Sequence, residues 1–462
     1  MNLVINIGPE TLDRTIKQLV DSGEASIEEA YAIFAGYRLV IEVDAGHLER
    51  EDAQIALVTL VSLASRVFHG GVYVEGCEAK PLLLPLRLGE TIEGAVIACG
   101  GRTDQAPTDV PRIRIGGTCA RRAPFHIRVV FDGWRGGIVP ADLADTLSDA
   151  ARPPAIPLAP VIAASLAIAE AFEHVRTKSP TVGYFPTGIS LWAPHKRDWL
   201  TTTDAGPVLS LLPEKLWLIG LGHVGQAYLW CLGLLPYEPS APLQLVLQDT
   251  DVIGPSTPST SILSNPSMVG RRKTREMAAW AERRGFRTAI IERLFDADFR
   301  VANFDPSVAL CGLDNIPGRR ALDKVGFGLI IEAGLGSRHD DFRSLRVHTL
   351  PGRRTADEIW KDAPATDEEH VPDEYKRLKA AGLLDQCGMT ILAGKAVGAA
   401  FVGCGAAAIA ISELLRFLHG GGLSECIDLD LRAADHLSAS PSAVDMGGFN
   451  PGFVYARSSR LP

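Results

Sequence analysis

The chain has 462 residues, room for two large domains or about three ordinary ones. Forty-six basic against 55 acidic residues give a formal charge of -9, so neither nucleic acid nor an anionic membrane is expected as a partner. A composition 46% apolar and 22% charged excludes a disordered, collagen-like or coiled-coil chain; eight cysteines without a C-x-x-C pair exclude a disulfide scaffold and give no reason to expect zinc.

The opening MNLVINIGPETLDRTIKQ lacks the basic and apolar regions of a signal peptide, and the expectation is a cytoplasmic protein. Residues 9 to 35 read as helical, with Leu12, Ile16, Leu19 and Val20 at helix spacing. A strand LVIEV at 39 to 43, an amphipathic helix EREDAQIALVTLVSLASRVF and a strand GGVYVEG follow, the order of a parallel βαβ unit. The chain continues through GAVIACGG, RIRIGG and the alternating HIRVVF to an Ala-rich helix, APVIAASLAIAEAFEHV, and a last strand near TGISLWA. Residues 195 to 214, charged, threonine-rich and proline-punctuated, read as a boundary.

The second half opens on KLWLIGLGHVG, an apolar strand running into a glycine-rich turn and then a helix. Its longest uncharged apolar run, between Lys395 and Glu413, reads as a buried helix slightly short of a membrane span. The element order repeats that of the first half: VALCGLDN (308–315) matches VIACGGRT (96–103), LIIEAGLGSR matches RIRIGGTCAR, LRVHTL matches IRVVFD, and AAAIAISELLRFL matches AASLAIAEAFEHV. This reads as an internal duplication. On that register Arg102 stands opposite Asp314, and VDAGHLERED stands where the second copy has its glycine turn. Acidic groups repel a phosphate that such a turn cradles, so the first copy is expected to be inactive.

GLGHVG, with Gly220, Gly222 and Gly225, follows a strand and opens a helix, so backbone amides can face a phosphate. With Asp249 at the end of LQLVL it fits a dinucleotide site as well as an ATP site, and an NAD-dependent oxidoreductase stays open at this point.

The stretch QDTDVIGPSTPSTSILSNPSMVGRRKTREMAAWAER, with LCGLDN downstream, resembles the ubiquitin-activating enzymes and their bacterial relatives, the ThiF and MoeB adenylyltransferases. Asp249 and Asp251 match that family's D-x-D, Gly270 and Lys273 its Gly-x-x-Lys helix start, and Asp314 with Asn315 its later Asp-Asn pair. The resemblance implies ATP and magnesium as cofactors: Asp249 accepts the ribose hydroxyls, Lys273 neutralises phosphate charge, and Asp314 helps to hold the metal. The family's Asn and Arg in the polar loop are replaced here by Thr257 and Thr260. In duplicated members an Arg from the inactive half's N-terminal helix reaches the nucleotide; LDRTIKQL is similar to that helix and makes Arg14 the candidate.

Residues 353 to 382, charged and proline-punctuated, read as a crossing segment leading to LLDQCGMTILAGKAVG. This looks like the Asp-Gln-Gln-Cys-Thr segment of the autophagy ubiquitin-like activating enzyme, which makes Cys387 the nucleophile; a thiolate beside a helix N-terminus attacks an acyl-adenylate without acid catalysis. The expectation is therefore an α/β chain of two ThiF-like Rossmann-type halves forming an intrachain pseudo-dimer. Residues 1–205 form the inactive half, 206–435 the active half with crossing segment and Cys387, and 436–462 a tail without helical or strand period. The implied activity is adenylation of a ubiquitin-like protein's C-terminal glycine, thioester capture and transfer to a conjugating-enzyme-like partner. The implied setting is a ubiquitin-like conjugation operon linked to antiphage defence. Three rivals stand beside it: a sulfur-carrier adenylyltransferase, the NAD enzyme, and a non-catalytic scaffold.

Overall fold

The structure, a computed structural model, describes residues 10–77, 79–143, 155–202, 204–361 and 371–457. The first half contains α1 (Lys17–Asp21), α2 (Ile27–Gly36), β1 (Arg38–Val43), α3 (Glu51–Ala64), β2 (Gly71–Glu75), α4 (Ile92–Ala98), β3 (Arg112–Ile115), β4 (His126–Asp132), β5 (Arg135–Pro140), α5 (Leu158–Thr177) and β6 (Thr187–Ser190). Its sheet runs β2-β1-β3-β4-β5-β6, parallel through β4 and antiparallel beyond.

The second half contains β7 (Leu211–Pro213), β8 (Lys215–Ile219), α6 (His223–Leu234), β9 (Gln244–Gln248), α7 (Thr257–Thr260), α8 (Lys273–Arg283), β10 (Arg287–Ile291), β11 (Val308–Cys311), α9 (Ile316–Arg320), β12 (Leu329–Leu335) and β13 (Ser344–Leu350). It continues with α10 (Ala356–Trp360), α11 (Asp373–Ala380), α12 (Gln386–Ala393), α13 (Ala400–Leu418), β14 (Ser424–Asp430), β15 (Ser438–Pro441) and β16 (Phe453–Tyr455). Its sheet, β10-β9-β8-β11-β12-β13-β14-β15, repeats the first with a strand added at each edge. The chain is thus two Rossmann-type α/β halves, and the switch in strand order beside β8 opens a crevice at the strands' carboxyl ends.

The two halves meet through helices. α13 packs on α6 and on α5, and α5 on α3, while Trp230 Nε1 donates to Thr59 Oγ1 at 3.2 Å between α6 and α3. Buried Ala163, Ala164, Ala406, Ala407 and Ala410 let these axes approach, and one apolar core runs through both halves. α5 and α13 are long and apolar enough to cross a membrane, but both are mostly buried between the sheets, as read for the run from Lys395 to Glu413.

Four expectations change. The helix expected over 9–35 is two helices: the chain turns at Gly23, φ +75°, and Ser26 with Glu29 forms a capping box that starts α2; residue 9 lies outside the described residues. The repeat is real in topology but its register shifts by one strand. Residues 92–98 are helical because Ile92, Ala95 and Val96 bury one face and Thr91 caps the Gly94 amide, so β3, not 96–103, is the counterpart of β11. Arg102 therefore bridges to Tyr73 and does not stand opposite Asp314. The tail expected to lack strands supplies two: β15 extends the second sheet, and β16 pairs antiparallel with β7. Of the tail, residues 458–462 lie outside the described residues, as do 362–370 of the crossing segment; the described part of that segment is helical in α10 and α11.

Candidate functional site

After β8 the chain turns at Gly220, whose φ of +83° suits glycine, and enters α6 at His223. A Cβ on Gly225 would lie 2.9 Å from the Gly220 carbonyl carbon and overlap its oxygen; one on Gly220 would meet the Gly312 oxygen at 3.0 Å. Gly222 differs: the nearest atom to a Cβ there would be the Lys273 Nζ, at 3.9 Å. Gly220 and Gly225 close the turn, and Gly222 leaves space in front of it. The backbone N–H groups of residues 222 to 225 donate to no acceptor among the described residues, which leaves a helix N-terminus facing that space with its donors available to an anion.

Asp249, at the end of β9, fixes the turn from below: one carboxylate oxygen accepts from the Leu221 amide at 2.6 Å, the other from the Asp251 amide at 2.7 Å. Lys273 begins α8 and is not part of a solvated face. Its side chain is only 13% exposed; Nζ donates to Asp251 at 2.8 Å and lies 3.9 Å from Asp249. Gly270, at φ +85°, makes the bend that turns the Arg271–Arg272–Lys273 run back along 251–253. In the polar loop, the Thr257 hydroxyl accepts from the Gly254 amide and Thr260 is buried. Gln226, which the sequence reading passed over although it directly follows GLGHVG, ties the two loops together. Its Nε2 donates to the Leu221 carbonyl at 3.2 Å, and its Oε1 accepts from the Leu263 amide and the Ser264 hydroxyl.

Arg14 enters this site from the first half. Its amide donates to Ser259 Oγ at 3.1 Å and its Nε to the Ala396 carbonyl at 2.7 Å. Burial lowers the Arg14 pKa, against the opposing influence of Asp314 and Asp13. Burial, with Arg14 as the second cause, pushes the His223 pKa down to about 3, and the ring is neutral at ordinary pH. That ring packs against α13 so closely that a Cβ on Gly403 would lie 2.5 Å from it, and its buried Nε2 has no hydrogen-bond partner among the described residues.

Asp314 and Asn315 follow β11 on an exposed loop. Asn315 caps α9, its side-chain oxygen accepting from the Gly318 amide at 2.8 Å. The Asp314 carboxylate accepts no hydrogen bond among the described residues, which leaves its oxygens available to a hard cation such as magnesium. Arg319, five residues on, sets the loop: its Nε donates to the Leu313 carbonyl at 2.9 Å and lies 3.0 Å from buried Glu332, which in turn contacts His348 at 3.1 Å.

Cys387 sits in the first turn of α12, whose cap is Asp385 accepting from the Gly388 amide at 2.6 Å. Of the eight cysteines, all free, it is the exposed one; Cys231, Cys311 and Cys404 are buried, and burial raises all three pKa values. The segment carrying it is fastened to the Arg14 region on both sides. Upstream, Tyr375 donates to Asp21; downstream, the Thr15 hydroxyl donates to the Gly398 carbonyl and the Gly398 amide to the Arg14 carbonyl.

The corresponding position in the first half is filled by protein. After β1, Asp44 accepts from the Gly46 amide and opens a 3-10 turn over 45–49, and His47 lies where a Cβ on Gly116, after β3, would overlap its ring.

A family model described as the BilD C-terminal domain matches residues 212–421, and one described as the BilD N-terminal domain matches residues 38–191. The bacterial E1-like protein BilD of Collimonas sp. (strain OK412) is 42% identical over 433 residues, covering 92% of each chain. Among solved structures, the chain is similar to E. coli MccB with MccA-N7isoASN (13% identity, TM-score 0.33, 50% of this chain and 64% of that one). It is also similar to the E. coli tRNA N6-threonylcarbamoyladenosine dehydratase TcdA (16% identity, TM-score 0.29, 45% of this chain and 86% of that one).

Proposed function

Because the chain belongs to the BilD family of bacterial E1-like proteins, we propose that it activates the C-terminal carboxylate of a ubiquitin-like protein with ATP and captures the product as a thioester on Cys387. A carboxylate oxygen attacks the α-phosphorus, the bond to the pyrophosphate leaving group breaks, and an acyl-adenylate forms. The Cys387 thiolate then attacks the acyl carbon and releases AMP, and a thiol of a conjugating-enzyme-like partner takes the acyl group by exchange. No base is needed for the first step, since a carboxylate is already ionised at neutral pH.

In this reading the free amides of 222–225 and Lys273 take the phosphates. Asp249 keeps a lone pair on each oxygen for the ribose, Asp251 orients Lys273, and Asn315 is assigned to the same site as the neighbour of Asp314. Asp314 is the residue that would hold magnesium, which neutralises phosphate charge when bound. Arg14 supplies the guanidinium that Thr257 and Thr260 lack. The observation that carries the thioester step is Cys387 itself: the exposed thiol stands at a helix N-terminus in a segment fastened on both sides to the Arg14 region.

The test incubates the full chain with ATP, magnesium and a ubiquitin-like protein ending in an exposed glycine, beside Cys387→Ala and Asp314→Ala. Wild type is expected to form a thiol-sensitive adduct on a non-reducing gel. Cys387→Ala should lose the adduct and keep pyrophosphate exchange, and Asp314→Ala should lose both. Exchange without any adduct would move the reading to a sulfur-carrier adenylyltransferase, and neither signal would leave a scaffold.

A further inference from the structure

The polar loop after Asp251 presents a puzzle of support, because Thr257 is spent on the Gly254 amide and Thr260 is buried beside Gly398. What holds the loop comes from elsewhere. Arg66, at the end of α3 in the first half, donates from Nε to the Pro258 carbonyl at 3.1 Å and from one terminal nitrogen to the Ile262 and Ser264 carbonyls at 2.7 and 3.2 Å. The other terminal nitrogen donates to its own helix, at the Ser62 carbonyl, 2.6 Å away. One planar fork thus grips three carbonyls of a loop nearly 200 residues distant in sequence and anchors them to a helix of the opposite half.

We propose that Arg66 is a positioning residue for the nucleotide site: it holds residues 258–264 at the wall of that site, and this hold sets the affinity for ATP. Two further observations support it. Gln226 grips the same end of the loop from the other side, through the Leu263 amide and the Ser264 hydroxyl, and links it to Leu221 of the glycine turn. A shift at 262–264 therefore reaches the turn that carries the free amides. Second, Arg66 forms no ion pair with a carboxylate among the described residues; burial lowers its pKa, opposed only by Cys99 and Cys404. Four carbonyl dipoles take four of its five hydrogens without cancelling its charge, so the field of the guanidinium remains for an anion on the loop's far side. A lysine keeps the charge, but a single ammonium cannot span carbonyls on both sides of the fork.

This inference rests on the proposed function for its nucleotide, and the experiment separates the two. Full-length wild type, Arg66→Lys and Arg66→Gln are compared by amide hydrogen exchange and by calorimetric titration with ATP and magnesium. In both variants the amides of Ser261, Leu263 and Ser264 are expected to exchange about tenfold faster or more, while those of β8, β11 and α13 keep wild-type protection. ATP affinity should fall about tenfold in Arg66→Gln and less in Arg66→Lys, which retains the charge. Unchanged loop protection, or unchanged ATP affinity with a loosened loop, overturns the proposal. If Arg66→Gln fails to fold, Arg66→Lys carries the same two readings. A wild-type chain that binds no ATP refutes the proposed function and with it the nucleotide role of Arg66, while hydrogen exchange still decides whether Arg66 holds the loop.

Discussion

Gly225→Ala and Gly222→Ala, three residues apart on one turn, are expected to fail in opposite ways. At Gly225 the new Cβ would overlap the Gly220 oxygen and lie 2.9 Å from its carbonyl carbon, and both atoms are backbone. Gly220 cannot retreat, because its amide is bonded to the Gln248 carbonyl at 2.9 Å and the Gly312 oxygen stands behind it. Relieving the overlap requires a backbone shift on the order of 1 Å, a strain of about 1–3 kcal/mol, with larger values occurring. For a cooperative unit of roughly 150–250 residues each kcal/mol is worth about 2–4 °C, so a fall of about 2–12 °C is expected. At Gly222 the nearest group is the flexible end of Lys273, 3.9 Å away, and the substitution should stay within about 0.5 kcal/mol. Its methyl instead occupies the space that an approaching phosphate needs, and ATP affinity should fall by tenfold or more, on the order of 1.4 kcal/mol. Differential scanning calorimetry reads the first quantity and isothermal titration with ATP and magnesium the second. If Gly222→Ala melts as early as Gly225→Ala, or binds ATP like wild type, the division of labour among these glycines is wrong.

Two more predictions concern Arg14 and His223. Arg14→Ala should slow ATP–pyrophosphate exchange by roughly a hundredfold, the usual worth of one preorganised charge donor, with partial recovery in Arg14→Lys; a rate within threefold of wild type would count against its role. His223 titrates near 6.5 when unfolded but at about 3 in the fold, so the unfolded chain binds the extra proton between those values. Stability from this residue is complete above pH 6.5 and drains away as pH falls toward 3. The melting temperature of His223→Gln should therefore depend less on pH than wild type between 6.5 and 4.5. That window lies above the range of Glu42, whose depressed pKa of about 2 costs stability only below about 4.5; an unchanged slope there would rule out a neutral, buried His223.

Legibility of the site in the sequence followed the distance over which each residue's task is set. Gly220, Gly222, Gly225, Asp249 and Lys273 lie within one strand-turn-helix unit and the next, and local chemistry places them together. The register of the duplication was less legible, because VIACGG and VALCGL are nearly the same word while one is helix and the other strand. A capping threonine and an exposed Ile97 decide for the helix, and short apolar runs do not announce their period. Arg66 and Gln226 were illegible for another reason: an arginine at a helix end gives no sign that it will meet carbonyls of the other half. The tail strands were invisible because their partners, β14 and β7, are what make them strands.

The outer faces of the two sheets differ in the support they give to the loops above them. In the second half that face is apolar, with Trp217, Ile219, Cys311 and Ile330 packed beneath Ala321, Leu322 and Trp360, so burial anchors α9 and α10 behind the loop. In the first half the same face carries Glu42, held by Arg112 at 2.7 Å, Arg114 at 3.4 Å and His126 at 3.4 Å. Glu42, His126 and Cys119 bring ligand atoms within 4.8 Å of one another, yet the Arg122 amide donates to His126 Nδ1, which puts the ring proton on Nε2, the nitrogen facing Glu42. The ion pairs of this layer are those of Glu42 with Arg112 and Arg114, and in this tautomer His126 Nε2 offers a proton, not a lone pair. A charged layer gives an amphipathic helix nothing apolar to bury against, and the segment after β3 is the glycine turn that His47 covers. Arg14 and Arg66 of the first half both reach across to the second: one bonds Ser259 and the Ala396 carbonyl, the other grips the polar loop.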